Sequence, residues 1–257
     1  MSRRAPDREY VAPVARYRMR YTKTGRARFA SHRDFQRALE RALHRADVPM
    51  AYSAGFNPHP KVSYANAAPT GAASYAEYVE IGVMREFDPE WLREHLSAAL
   101  PNGFEIADVV VAQTPNFAER LEAAQWQIAM PGVSPDIGAQ AVADLLARDQ
   151  VQVERMTKKG LRTFDIRQSV LALACTADEQ GYAILTLVVQ HGTPAVRPDD
   201  IVVGLTQVAA LAPPLPPVLT RLAQGPLAGD RRSVLDPLAP DRLGMAASPG
   251  IVHSRSH

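Results

Sequence analysis

Arg16-Tyr17-Arg18-Met19-Arg20-Tyr21, followed by Ser31-His32-Arg33-Asp34-Phe35, is the stretch from which the architecture is read. The first six residues alternate, with Tyr17, Met19 and Tyr21 on one face and three arginines on the other. That period of two predicts a half-buried strand with one cationic face. Lys23-Thr24-Gly25-Arg26 reads as a turn and Ala27–Ala30 as a short return segment. Ser31 is a good helix N-cap, and Asp34, three residues on, completes a variant of the capping box. Phe35, Leu39, Ala42, Leu43 and Ala46 recur at helical spacing, so residues 31–46 form an amphipathic helix. Arg33, Arg37, Arg41 and Arg45 follow one another at i, i+4 along its solvent side. Asp47-Val48-Pro49 ends it.

Downstream, Val62–Ala65, Tyr75–Val83 and Phe104–Ala112 read as strands, with a helix between the last two. That helix has Asp88 as N-cap, Pro89 in its first turn and Trp91, Leu92, Leu96 and Leu100 facing inward. Residues 15–113 therefore run strand, helix, strand, strand, helix, strand, the order of a ferredoxin-like unit of the α+β class. Residues 120–210 repeat it loosely. Gln125–Met130 is a strand and Pro135–Arg148 a helix. Val151–Met156 with Leu161–Ile166, and Val170–Cys175 with Tyr182–Val189, are strand pairs, and Pro198–Ala209 is a second helix. The expected architecture is two tandem ferredoxin-like domains. Residues 1–14 form a basic, disordered leader, and 211–257 an irregular Pro/Ala/Gly-rich tail in which only Arg221–Pro226 could dock.

At 257 residues the chain has room for two such cores. No apolar run nears the ~20 residues of a membrane helix, and the polar, basic start is not a secretory signal. A single cysteine, Cys175, permits no intrachain disulfide, which fits a reducing cytoplasm, and no self-contained iron–sulfur cluster. The net charge of +2 hides an asymmetry. Residues 1–62 carry 14 Lys/Arg against five acids, a balance of +9; the remainder carries 15 against 22, a balance of −7. Basic density on one part of a chain is the footprint of a polyanion partner.

Tyr52-Ser53-Ala54-Gly55-Phe56-Asn57-Pro58-His59-Pro60-Lys61 holds the densest side-chain chemistry. Its prolines restrain Asn57 and His59, and Gly55 permits a turn. There is no G-x-x-x-x-G-K-[ST] and no G-x-G-x-x-G, and the histidines lack zinc spacing, so neither a nucleotide loop, a metal nor another cofactor is expected. No strand-to-helix elbow marks a nucleophilic triad, and Cys175 reads as core filling. His32, at a helix start where N–H groups favour an anion, and His59 are the candidate proton shuttles or phosphate ligands. His32 reads equally as a plain first-turn residue. Lys158-Lys159-Gly160 puts two cations on a hairpin turn, Asp165-Ile166-Arg167 an acid–base pair at a strand end, and Gly192–Pro198 a restrained loop with one cation, Arg197.

Lys23-Thr24-Gly25, Arg28-Phe29, Ser31-His32-Arg33-Asp34, the run Tyr52–Lys61, and the later Lys-Lys-Gly, Asp165-Ile166-Arg167 and Val196-Arg197-Pro198 together resemble the radical SAM-linked family of uncharacterised domains, the DUF2344 type. The resemblance spans residues 15–210, and Arg33 departs from it where an apolar residue is usual. It implies a partner radical SAM protein and a link to RNA metabolism, but supplies no reaction. With one cysteine, the chain would be a partner of such an enzyme and not the enzyme itself. The leading expectation is an RNA-binding accessory module in tRNA or rRNA modification or processing. Its contacts would come from Arg18, Lys23, Arg26, Arg28, Ser31, His32, Arg37, Arg41, Tyr52, Ser53, Asn57, His59, Lys61, Lys158, Lys159, Asp165, Arg167 and Arg197. One alternative is a metal-independent RNA-processing or modifying enzyme, with His32 or His59 as acid or base and Lys61 or Lys23 steadying a phosphate. Another is a protein–protein scaffold for a radical SAM enzyme.

Overall fold

Strand β1 (Ala15–Lys23) is antiparallel to both neighbours, β3 (Ala73–Val83) and β4 (Phe104–Val111), and β2 (Val62–Ala65) pairs antiparallel with the far end of β3. The computed structural model in which this is seen describes residues 11–54, 56–157 and 160–246, with side chains as far as Arg242. Residues 1–10 of the expected leader, Gly55, Lys158 and Lys159 lie outside the described residues.

The alternation in β1 works as anticipated on its apolar face. Tyr17, Met19 and Tyr21 are buried beneath helices α1 (His32–Arg45) and α2 (Pro89–Ala99), against Phe35, Leu39, Leu92 and Leu96. Each such side chain removed from water stabilises the fold by about 1.5–3 kcal/mol. Tyr21 and Phe35 stack with ring centroids 3.7 Å apart. The Ser31–Asp34 capping box forms in full, since Ser31 N–H donates to Asp34 Oδ2 at 2.8 Å and Asp34 N–H to Ser31 Oγ at 3.3 Å. Asp88 caps α2, accepting from Trp91 N–H at 2.9 Å. The expected return segment at Ala27–Ala30 is instead the end of a 3-10 turn over Gly25–Phe29, with Ala30 as its C-cap. The turn docks on Gly103, where any Cβ would lie 2.6 Å from the Thr24 carbonyl oxygen and 2.8 Å from Ala27 Cβ.

The second half contributes β5 (Ala123–Met130), α3 (Pro135–Leu146), β8 (Val170–Ala177), β9 (Ala183–Gln190) and α4 (Pro198–Ala209). A hairpin of β6 (Gln152–Thr157) and β7 (Gly160–Asp165) stands apart as a two-stranded sheet. The two halves share one large mixed sheet of order β4-β1-β3-β10-β5-β9-β8.

The strand that joins them is β10 (Val218–Gly225), and it corrects the expectation of an irregular tail from residue 211. Thr220 and Arg221 pair in parallel with Ala73 and Ser74 of β3, while the rest of β10 runs antiparallel to β5. Beyond it, Leu238 packs with Tyr78, Val110 and Phe117 on the sheet face opposite α1 and α2, and helix α5 (Ala239–Ala246) follows.

This C-terminal cover also overturns the cationic strand face. Arg18 is 4% exposed: its Nε donates to Glu80 at 2.8 Å and its Nη1 to Asp241 Oδ2 at 2.7 Å, over the Phe117 ring. Arg16 alone of the three is exposed. No helix among the described residues is long and apolar enough to cross a membrane.

Candidate nucleic-acid interface

The first half presents its exposed chemistry along three consecutive elements: the 3-10 turn, the outer side of α1 and the loop of residues 52–60. Arg33, Arg37 and Arg41 are exposed, as their i, i+4 spacing requires, and among the described residues no carboxylate lies within salt-bridge distance of them. Arg26 is exposed at the turn, and Arg28 lies 4.6 Å over the Phe29 ring. Phe29 is 60% exposed, Tyr52 51% and Phe56 81%. Large aromatics left in water, on segments that flank a helix of arginines without salt bridges, are a costly arrangement for the isolated chain and a useful one for a partner with flat, anionic units.

The loop is built on its own backbone. Ser53 N–H donates to the His59 carbonyl at 2.8 Å, Ser53 Oγ accepts from His59 N–H at 3.0 Å, and Tyr52 bridges Pro60. These contacts project Phe56, Asn57 and the His59 ring outward, and all three are exposed. Ser53 is thus a loop clamp. Lys61 anchors the base, its N–H donating to Ala51 and its carbonyl accepting from Gly82 N–H. Ser31 is committed to capping α1. His32 is exposed, meets Tyr64 of β2 edge-on with centroids 4.7 Å apart, and has Nε2 3.1 Å from Gln36 Nε2. Burial, reinforced by Glu40, holds the Tyr64 phenol far above its ordinary range, so Tyr64 is a neutral ring for His32 to rest on.

Lys23 does not face this loop. It pairs with Ser74, eight residues along β3 from the Gly82 that meets Lys61, which places them about 26 Å apart along the strand. Lys23 is buried, its Nζ donating to the Ala68 and Pro69 carbonyls at 3.4 and 3.1 Å. Burial lowers its pKa, Glu77 opposes that and Arg221 adds to it. Asp165 and Arg167 are likewise not an ion pair on the surface. Asp165 Oδ1 accepts from the Val151 and Arg167 N–H groups, and Arg167 reaches the Val170 carbonyl, so both close the base of the β6–β7 hairpin.

Arg197, exposed at the start of α4, stands at the rim of a cavity of about 280 Å³ where the halves meet. Asn66, Trp126, His191 and Arg221 line it, and residue-by-residue reading singled out none of them as site residues. Asn66 directly follows β2, so the edge strand leads from the aromatic loop to this cavity. The signal was present in Arg221, an arginine in the one tail segment with docking potential.

No curated protein is significantly similar to the chain in sequence. A family model does match, over residues 16–198, described as an uncharacterized protein conserved in bacteria, DUF2344. Those residues hold the arginine-striped helix, the aromatic loop and Arg197, and the chain belongs to that family.

Proposed function

We propose that the chain binds RNA, as an accessory module acting beside a radical SAM protein in tRNA or rRNA modification or processing. The observation that carries the RNA reading is the exposure of Phe29, Tyr52 and Phe56 on the segments that flank α1, whose Arg33, Arg37 and Arg41 have no carboxylate within salt-bridge distance among the described residues. Stacking platforms interleaved with phosphate-seeking cations are what single-stranded RNA requires, because base faces and phosphates are its two accessible features. The radical SAM partner rests on the family resemblance, and on a chain whose single, half-buried Cys175 cannot hold a cluster by itself. We also read each half as a ferredoxin-like unit. The matching strand orders, β4-β1-β3-β2 and β10-β5-β9-β8, support this, with β6–β7 as an insertion.

Fluorescence anisotropy with labelled transfer RNA and ribosomal RNA fragments tests the RNA reading. Affinity should fall about tenfold or more between ~50 and ~200 mM salt. Replacing Tyr52 and Phe56 by Ala should cost a further factor of about thirty or more, since each stacked base is worth about 1–3 kcal/mol. Absence of binding to either RNA at low salt would defeat the proposal, as would equal binding by the double variant.

A further inference from the structure

Two buried cations share one buried carboxylate beside the cavity at the junction of the halves. Glu77, 2% exposed, accepts from Arg221 Nη2 through Oε1 and from Ala68 N–H through Oε2. Lys23 reaches only the Ala68 and Pro69 carbonyls. Arg221 spends three of the five N–H donors of a guanidinium, on Ser74 Oγ, the Asn66 carbonyl and Glu77. With Lys23 protonated the cluster is one positive charge in excess, and Arg197 stands at the rim, its charge felt by Asp200, which also pairs with Arg155. An isolated buried charge is expensive unless something neutralises it.

The other walls define what else the occupant carries. His191 Nδ1 lies 2.7 Å from the Leu121 carbonyl, to which it can only donate, and 3.1 Å from Asn66 Nδ2; with the proton on Nδ1, Nε2 is the ring's acceptor. Burial, with Arg221 adding to it, lowers the His191 pKa, so the ring stays neutral at pH 7. Pro69, Val189, Val196 and Trp126 supply an apolar flank, and Asn66 a side-chain amide. A cavity of about 280 Å³ is just under the usual range for drug-sized ligands.

We propose that this junction cavity binds one nucleotide, with its phosphate against Arg197 and the free N–H groups of Arg221. The ribose or base donors meet His191 Nε2, and the flat ring lies along the apolar flank. The source is a free nucleoside monophosphate or the terminal nucleotide of an RNA; only the second depends on the RNA reading above.

Calorimetric titration of the full chain with AMP and UMP, and with adenosine and inorganic phosphate as half-ligands, tests it. The nucleotides should bind, and each half-ligand at least about tenfold more weakly. Arg197→Ala, an exposed position whose loss leaves the core intact, should weaken nucleotide binding about tenfold, the worth of one charge-assisted hydrogen bond. His191→Gln should weaken it while thermal melting verifies the fold. Replacing Arg33 and Arg37 by Ala should leave nucleotide affinity unchanged. Displacement of bound AMP by a 5′-phosphorylated RNA oligomer assigns the site to RNA ends, and its absence assigns it to free nucleotides. No nucleotide binding, or equal binding by Arg197→Ala, overturns the cavity proposal even if RNA still binds the arginine stripe. Nucleotide binding without RNA binding upholds the cavity and removes the RNA reading instead.

Discussion

Asp241 is the most heavily hydrogen-bonded carboxylate among the described residues. It is fully buried and accepts from Arg18 Nη1, from Arg120 Nη1 at 3.1 Å, from Thr114 Oγ1 at 2.6 Å and from the backbone N–H groups of Gln113 and Thr114. Burial would raise its pKa, but the hydrogen bonds from Thr114, Arg18 and the backbone outweigh it and leave the carboxyl below its ordinary 3.8. A lowered carboxyl contributes its stability above the unfolded value and loses it as pH falls through the folded one. Asp241→Ala strands Arg18 and Arg120 without their counter-charge, and breaking such a buried pair costs about 3–5 kcal/mol. Urea denaturation at neutral pH should register that loss, and the gap to the parent should narrow in acid. His191 has a dependence of the same sign in a higher pH window. Its folded pKa lies below 6.5, so the unfolded chain binds more protons and stability falls as pH drops through that region. Urea midpoints at about pH 7 and pH 5.5 should converge in His191→Gln relative to the parent. None of this is legible locally. Alternation places Arg18 on a face, but what covers that face arrives 223 residues later in Asp241.

Strand β10 shows why one element could not be read and how much depends on it. Val218–Gly225 places Arg221 and Gln224 at 2% and 0% exposure, so among its buried positions only Leu219 is a large apolar side chain and no apolar period emerges. Across the seam Arg221 is met by Glu77 and Ser74, and Gln224 Nε2 donates to the Ala76 carbonyl at 2.6 Å while its Oε1 is buried without a partner among the described residues. The helices were legible for the converse reason. Ser31, Asp88 and Ser134 each accept from a backbone N–H in the first turn of their helix, so cap chemistry and apolar spacing agree there. A chain ended after Ala212 would lose β10, expose the β5 edge and leave Glu77 buried without Arg221. It should lose cooperative thermal melting and partition into the insoluble fraction. A truncated chain melting like the parent would show that the halves do not need their shared strand.

Across the whole molecule, the charge segregation visible in the sequence becomes a spatial one only in part. Of the cations in residues 1–62, Arg18 and Lys23 turn inward and serve the fold, while Arg26, Arg33, Arg37, Arg41 and Arg45 face water. The useful electrostatic surface is therefore α1 and its flanks, smaller than the +9 of that segment suggests. Each arginine that pairs with a phosphate of a single strand adds about 0.7 to the magnitude of the slope of log affinity against log salt. Replacing Arg33, Arg37 and Arg41 together by Ala should therefore flatten that slope by about 2, through loss of counterion release. The fold should be indifferent, because exposed, unpaired cations on a helix contribute within about ±0.5 kcal/mol and Ala is the better helix former. A parallel series at the loop should divide differently. Phe56→Ala should lower affinity equally at every salt concentration, because stacking releases no counterions. Slopes measured by anisotropy at four or more salt concentrations separate the two contributions. If the triple arginine variant keeps the parental slope, RNA is held elsewhere than on α1, whatever its affinity.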